Sequence, residues 1–344
     1  MKDKLIVDLD NTITIDSSSL EYATKDLNAE VALAIKNAAK LKIETTIFSS
    51  RNMKTFNGDL KKIESVTRPI AENWLREKQI KYSELILGKP WCGKEGWYVD
   101  DKNLNIEEFI FKYSGPFWKK KIDLIIPLFN EEENIANLHI QNKRIERLLN
   151  INNYIYVDNG SKDNTRERLN TLAEKDAKIK LVLLDNNMGY GGGIKAGLKS
   201  STAEIISLNH ADLQFDLYNF IYLNMEKIKD HHFLNILPQR LNRKLFERTN
   251  TFLLRIILSS IFRKLILDFN GQPKIFEKSL VGSLDELPDN FCIDLAIYLK
   301  INKNFINLPV IQNERNAGES TWSGSINKRI LIFCQYILWA LKNK

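Results

Sequence analysis

Short apolar runs that end in acids or in Asn- and Gly-rich loops recur along this chain, each followed by a stretch of helical periodicity. The series starts twice, at Lys4–Leu9 and again at Ile122–Ile126. That rhythm predicts a mostly parallel sheet with helices on both faces, laid down two times over. In the first series Lys4–Leu9 reads as a buried strand. Asn28 is placed to cap a helix over Ala29–Leu41, with Val31, Ile35 and Ala38 on one face. Ile43–Phe48 is the next strand, and Pro69 suits the first turn of a helix carrying Ile70, Trp74 and Leu75. Strands follow at Leu85–Leu87 and Trp97–Val99. Gly-Pro punctuation and a lysine run over Tyr113–Lys121 mark a boundary, giving domains at residues 1–115 and 121–344. Beyond it a helix is expected over about Glu131–Leu149, with Ile135, Leu138, Ile145 and Leu148 inward. Strands are expected at Tyr154–Val157, Lys180–Leu184 and Glu204–Leu208.

Composition agrees with two globular domains. The 344 residues are 44% hydrophobic and 27% charged, which excludes disordered, collagenous and disulfide-scaffold classes. Cys92, Cys292 and Cys334 lack metal-ligand spacing and suit a reducing cytosol. Met1 leads straight into a charged stretch, so no signal peptide is expected. No apolar run approaches the ~18 residues that span a bilayer. The net charge of +7 lies wholly beyond residue 115, because the first 115 residues balance. A basic second half points to an anionic partner. No helix-turn-helix, zinc-finger or RNP pattern accompanies it, so no nucleic-acid partner is expected.

The first strand runs into Asp8-Leu-Asp-Asn-Thr12. Carboxylates at i and i+2 on the C-terminal edge of a sheet can divide nucleophilic attack and proton transfer between them. Alone, such a pair is more often two solvated turn aspartates. Three further groups fall at strand ends in a workable order: the Ser49 hydroxyl, the Lys89 ammonium, and the Asp100-Asp101 pair suited to Mg²⁺. DLDNTIT, FSSRN, GKPWCG and YVDDK together resemble the haloacid dehalogenase (HAD) superfamily of phosphatases, in particular its capsular-polysaccharide members. The resemblance covers about residues 1–113. It implies a Rossmannoid domain in which Asp8 forms an aspartyl-phosphate and Asp10 is the general acid/base. It also implies that Ser49 and Lys89 hold the phosphoryl group, and that Asp8, Asp10, Asp100 and Asp101 gather around Mg²⁺. The substrate would be a small phosphoester. A scaffold or docking role for the same domain is the alternative.

The second series carries Pro127-Leu-Phe-Asn-Glu131, then Val157-Asp-Asn-Gly-Ser161. Asp158 at a strand end can accept hydrogen bonds from a base or ribose. Five glycines between Gly189 and Gly197 would let backbone approach a ligand at a helix start; a flexible turn is the competing reading. In Asn209-His-Ala-Asp-Leu-Gln214, extended backbone would project His210, Asp212 and Gln214 to one side, a donor set for Mn²⁺ or Mg²⁺. PLFNEEENI, YVDNGSKDNT, the glycine tract and NHADLQFD resemble glycosyltransferase family 2 and its GT-A fold. The polyprenyl-phosphate sugar transferases of the dolichol-phosphate mannose synthase type look nearest. The resemblance implies that Pro127, Asn130, Glu131, Asp158 and Lys195 line a nucleotide-diphospho-sugar site and that Asp212 and Gln214 hold the metal, with His210 in place of the usual first Asp. Asn270–Lys274 and Glu314–Trp322 would lie near the diphosphate or the acceptor. The reaction would be inverting sugar transfer to a polyprenyl phosphate or a glycan. A hydroxyl acceptor would need a base, for which Asp294 is the candidate; a helix-start carboxylate is the other reading of that residue.

Arg240–Leu267 and Ile326–Leu341 mix apolar and basic residues. They suit amphipathic helices at a membrane surface, or ordinary core helices with charged faces. The whole chain then reads as a bifunctional enzyme of surface-polysaccharide assembly, cytoplasmic and peripheral to the inner face of the membrane. The alternative is a glycosyltransferase with a non-catalytic HAD-like module.

Overall fold

The computed structural model describes residues 4–15, 21–93, 98, 102–231, 234–242, 245–301, 305–314 and 326–344, with backbone alone considered over 245–250 and 326–328. The chain forms two compact units, Met1–Trp118 and Lys119–Lys344.

In the first unit β1 (Lys4–Val7), β2 (Glu44–Ser49) and β3 (Glu84–Leu87) pair in parallel in that order. The helix Ala29–Lys40 starts where Asn28 accepts a hydrogen bond from the Val31 N–H at 3.2 Å. The helix Ile106–Ser114 starts on a reciprocal cap between Asn105 and Glu108. Val31, Ile35 and Ala38 meet Trp74, Leu75, Phe109 and Ile110 in one core. Two expectations are corrected. β1 stops at Val7 rather than Leu9, because residues 9–13 turn sharply: Asn11 sits at φ 59°, the Thr14 N–H closes on the Leu9 carbonyl, and Leu9 and Ile13 are buried. Nor is β1 buried throughout, since Ile6 is 70% exposed. The expected strand Trp97–Val99 lies outside the described residues apart from Tyr98.

The second unit holds a sheet of order β10-β8-β9-β7-β4-β5-β6 among the described residues. Its strands are β4 (Ile122–Leu128), β5 (Ile151–Asn159), β6 (Ile179–Leu184), β7 (Ile205–Leu208), β8 (Asn235–Arg240), β9 (Lys274–Glu277) and β10 (Phe305–Val310). β9 runs antiparallel to β7 and β8; the other pairs are parallel. The central strands are covered on both faces, so β4 reads as a continuous apolar run broken by Asp123. The single helix expected over Glu131–Leu149 is instead a turn, an α-helix Ile135–Lys143 and a 3₁₀ turn Arg144–Arg147; all four residues expected inward are buried. The Glu131 carboxylate accepts from Asn134 and that of Glu132 from the Asn164 N–H, loop contacts that precede the helix start.

The glycine tract opens the helix Gly189–Ser200. Several of its glycines permit close packing. A Cβ on Gly191 would stand 2.2 Å from the Pro288 carbonyl oxygen, and one on Gly197 would stand 2.4 Å from Ile125 Cγ2. The tract therefore seats this helix against residues 288–290 and against β4, and Gly192 N–H donates to the Asp289 carbonyl. At Gly189 and Gly191 the close approach is made by the protein's own backbone at residues 288–290, while Gly193 faces the side chains of Asn159 and Pro127.

Candidate active sites

In the first unit β1 and β2 end side by side and bring four of the expected groups together. Lys89 Nζ lies 3.1 Å from Asp8 Oδ1. Ser49 Oγ lies 3.5 Å from Asp10 Oδ2. Arg51 closes a fork on Asp10, with Nη2 at 2.8 Å from Oδ1 and Nε at 3.2 Å from Oδ2. Lys25 adds a contact at 3.4 Å. The Arg51 guanidinium is buried, with the Tyr22 ring 4.3 Å away, while Lys89 sits 4.0 Å from the centre of the Tyr98 ring. Burial pushes the Asp8 carboxyl up; Lys89 opposes this and Asp10 adds to it. Asp100 and Asp101 lie outside the described residues, so the Mg²⁺ set rests here on Asp8 and Asp10. Arg51, Lys25 and Tyr22 escaped the sequence reading. Arg51 directly follows the Ser49-Ser50 strand end, which was the available signal.

In the second unit the loops after β4 and β5 are laced together. Asn130, at φ 56°, donates its N–H to Ser161 Oγ and accepts the Lys162 N–H on its side chain. Glu131 N–H donates to Thr165 Oγ1, and its carboxylate accepts from Asn134. Asp158, fully buried, accepts the Ser161 N–H at 3.0 Å and Arg166 Nε at 2.7 Å. Burial pushes its carboxyl up, but Ser161 and Arg166 outweigh that and hold it below the usual carboxylate range. Pro127 lies on β4 beside Val157, one register step from the Leu128–Asp158 pair. These four residues therefore share the C-terminal edge of β4 and β5, where open α/β sheets bind ligands. Lys195 does not join them: its ammonium is held by Asp289 at 2.7 Å and the Leu287 carbonyl at 3.1 Å.

The chain after β7 is not extended. Residues 211–214 bend and Leu213 takes φ 60°, so the strict alternation expected of His210, Asp212 and Gln214 is broken. His210 Nε2 instead meets the Tyr190 hydroxyl at 2.9 Å, with its ring edge-on to Tyr190 and to Phe215. Burial pulls the imidazole below its ordinary range, keeping it neutral; Asp212 and Asp294 oppose this. Asp212 is buried and accepts the Gln214 N–H, while Gln214 Nε2 donates to the Asn313 carbonyl. Among the described residues no three His, Cys, Asp or Glu side chains converge as a metal site. The remaining donor set is one neutral imidazole, one carboxylate and the Gln214 amide oxygen, which suits Mn²⁺ or Mg²⁺ in kind.

Asp294 occupies the first turn of the helix Ile293–Ile301, as its alternative reading has it, and also forms a buried ion pair. Lys274 Nζ lies 2.6 Å from its Oδ1, and Gln272 Nε2 lies 3.2 Å from the same atom. Lys274 is wholly buried; burial lowers its ammonium pKa and Asp294 opposes the shift. Of the two later motifs, Asn270–Lys274 thus ends in the partner of Asp294, whereas 315–322 lie outside the described residues.

The second unit is an open α/β sheet with acidic loops at the C-terminal ends of its strands, the edge where such sheets bind ligands. Residues 123–283, within the second unit, match the family model for glycosyl transferase family 2. An undecaprenyl-phosphate 4-deoxy-4-formamido-L-arabinose transferase from Sodalis glossinidius is 22% identical over 205 residues, 59% of this chain. The chain spans 63% of that relative's length. Glucosyl-3-phosphoglycerate synthase from Mycobacterium tuberculosis, solved with Mn²⁺, UDP and glucosyl-3-phosphoglycerate, is 13% identical with a TM-score of 0.48, covering 71% of this chain and 85% of that one. A solved protein from Vibrio cholerae is 40% identical with a TM-score of 0.31, covering 32% of this chain and 88% of that one.

Proposed function

We propose that the second unit transfers a sugar from a nucleotide diphosphate to a polyprenyl phosphate, with inversion. The reading is supported foremost by buried, ionised Asp158 at the edge of β4 and β5, beside Pro127, Asn130 and Glu131, within the stretch that matches the family. Asp158 and the Asn130–Glu131 loop would bind the nucleoside, and Asp212, Gln214 and His210 would hold a divalent ion. That ion, when bound, offsets the charge of the leaving diphosphate. A lipid phosphate is already an anionic nucleophile, so Asp294, locked to Lys274, would orient and would not need to take a proton. A thermal-shift screen of UDP- and GDP-sugars with Mn²⁺ or Mg²⁺ tests this. Stabilisation by one donor, lost in Asp212→Ala, is expected; no shift with any donor overturns it.

For the first unit we propose a Mg²⁺-dependent phosphatase of the HAD type. Asp8, paired with Lys89, would attack phosphorus, and Ser49 would bond a phosphoryl oxygen. Turnover of a small phosphoester that vanishes in Asp8→Asn is the expected result. A second reading, a docking module without turnover, draws on the Arg51 fork: it occupies both oxygens of Asp10, the group that would have to exchange a proton. No hydrolysis across a broad phosphoester panel would favour it.

A further inference from the structure

The two carboxylates of the first unit are not served alike. Among the described residues Asp8 has one cation on it, Lys89 at 3.1 Å, whereas Asp10 has two. Arg51 closes its fork on both oxygens of Asp10, and Lys25 Nζ stands 3.4 Å from Oδ1. That contact is long for a charge-assisted bond, which usually spans about 2.7–2.9 Å. An ammonium has three donors, so Lys25 keeps donors to spare. Its side chain is only 11% exposed, so water screens little of its charge. Arg51 is also short of an acceptor, because its Nη1 is buried with no hydrogen-bond partner. The excess of cationic donors therefore lies on the Asp10 side of the site.

Backbone contacts fix Lys25 there. Thr14 bridges Leu27, and the Ile15 N–H donates to the Asp26 carbonyl. The indole N–H of buried Trp74 donates to the Lys25 carbonyl at 2.9 Å. What stands beside Asp10 stands beside the leaving group. In the phosphatase reading, on which this inference rests, Asp8 bonds to phosphorus as the ester P–O bond breaks on the far side. The departing oxygen takes its proton from Asp10, which must come within about 2.6–3.2 Å of it. Water then displaces phosphate from Asp8 and gives a proton back to Asp10. We infer that Lys25 is a specificity-determining residue that pairs with a second anionic group, a carboxylate or a phosphate, carried by the leaving group. The substrate class is then a phosphorylated hydroxy acid or a bisphosphate, in preference to the monoester of a neutral alcohol.

Three phosphoesters that differ at one end test this with the full chain and Mg²⁺: propyl phosphate, phosphorylated 3-hydroxypropanoate and propane-1,3-diol bisphosphate. At least one anionic ester should exceed propyl phosphate about 10–100-fold in kcat/KM, the range of a hydrogen bond to a charged group. Which one does so identifies the group. In Lys25→Met that ratio should collapse toward one, and Lys25→Arg should keep it. Equal kcat/KM for all three in the wild type overturns the inference, as does a preference that survives in folded Lys25→Met. If Lys25→Met does not fold, the wild-type ratios decide. Should the wild type hydrolyse none of the three, the phosphatase reading fails, and calorimetric titration of the same esters into the wild-type chain decides the pairing by itself. The same ratio in Kd keeps it; equal affinities or no binding overturn it.

Discussion

Asp123 breaks the apolar run of β4 at its first turn, and five donors explain how it can. Its two oxygens accept from Ser201 Oγ, the Thr202 and Ala203 N–H groups, and the Asn152 and Asn153 side chains. Burial pushes its carboxyl up, but these bonds overcome that and hold it below the usual range. A folded pKa lowered in this way adds stability that is present above the unfolded value. The contribution is lost as pH falls through the folded value, below about 4. Asp123→Ala should therefore cost about 3 kcal/mol at pH 7, since it strands buried donors, and the gap to wild type should narrow in acid as the part linked to ionisation is lost. Urea unfolding at pH 7 and pH 3 measures both. Asp8 carries the opposite sign. Its raised pKa means that ionisation costs the folded state stability above that pKa, so Asp8→Asn should hold or raise Tm while removing the proposed phosphatase activity. A clear fall in Tm would show that the Lys89 pair outweighs the burial. The sequence shows where these carboxylates stand but not what holds them: Asp8, Asp10 and Asp158 fall at recognisable strand ends, whereas Arg51 reaches Asp10 and Arg166 reaches Asp158 from positions that the folded chain brings near.

At the scale of elements, the places of β1 to β7 and the helix capped by Asn28 follow from patterns that repeat every two or every 3.6 residues, and those are readable. Contacts made by loops are not. The Asn130–Glu132 turn and the Ser161–Thr165 turn exchange side-chain bonds across more than thirty residues, and no local period encodes that exchange. The glycine tract shows the same limit: its composition signals close approach, but the partner is the 288–290 backbone. This gives a sharp prediction. Gly191→Ala places a methyl against the Pro288 and Asn290 carbonyl oxygens and the Asp289 carbonyl carbon, atoms that cannot swing aside. It should destabilise the second unit by about 2–3 kcal/mol, as overpacking does. Were the glycines there for a ligand, the same substitution would spare stability and weaken donor binding alone, and denaturant titration with and without donor separates the outcomes.

For the whole molecule, charge and apolar surface fall on the same segments. The excess of +7 lies beyond residue 115. The helices Leu245–Phe262 and Ile326–Lys342 pack on one another, yet each leaves apolar side chains outside. On the second, Leu331, Leu338 and Leu341 recur at helical spacing on an exposed stripe with Cys334, while Ile332, Tyr336 and Ala340 face the core. Phe252, Leu253 and Ile256 are at least half exposed on the first, which leads into exposed Arg263 and Lys264. No helix among the described residues is long and apolar enough to cross a membrane. A surface that is both greasy and basic fits the interface of an anionic bilayer, where a polyprenyl phosphate would be met. Flotation with vesicles of anionic lipid should therefore capture the full chain at low salt. Capture should weaken as salt shortens the screening length toward about 3 Å at 1 M, because the basic groups act through the headgroup field. Leu331→Asp with Leu338→Asp removes apolar contact at exposed positions, so it should abolish capture without lowering Tm. Capture of that variant equal to wild type would leave the charges as the whole of the attraction, and no capture of either by anionic vesicles would rule out this face as a membrane surface.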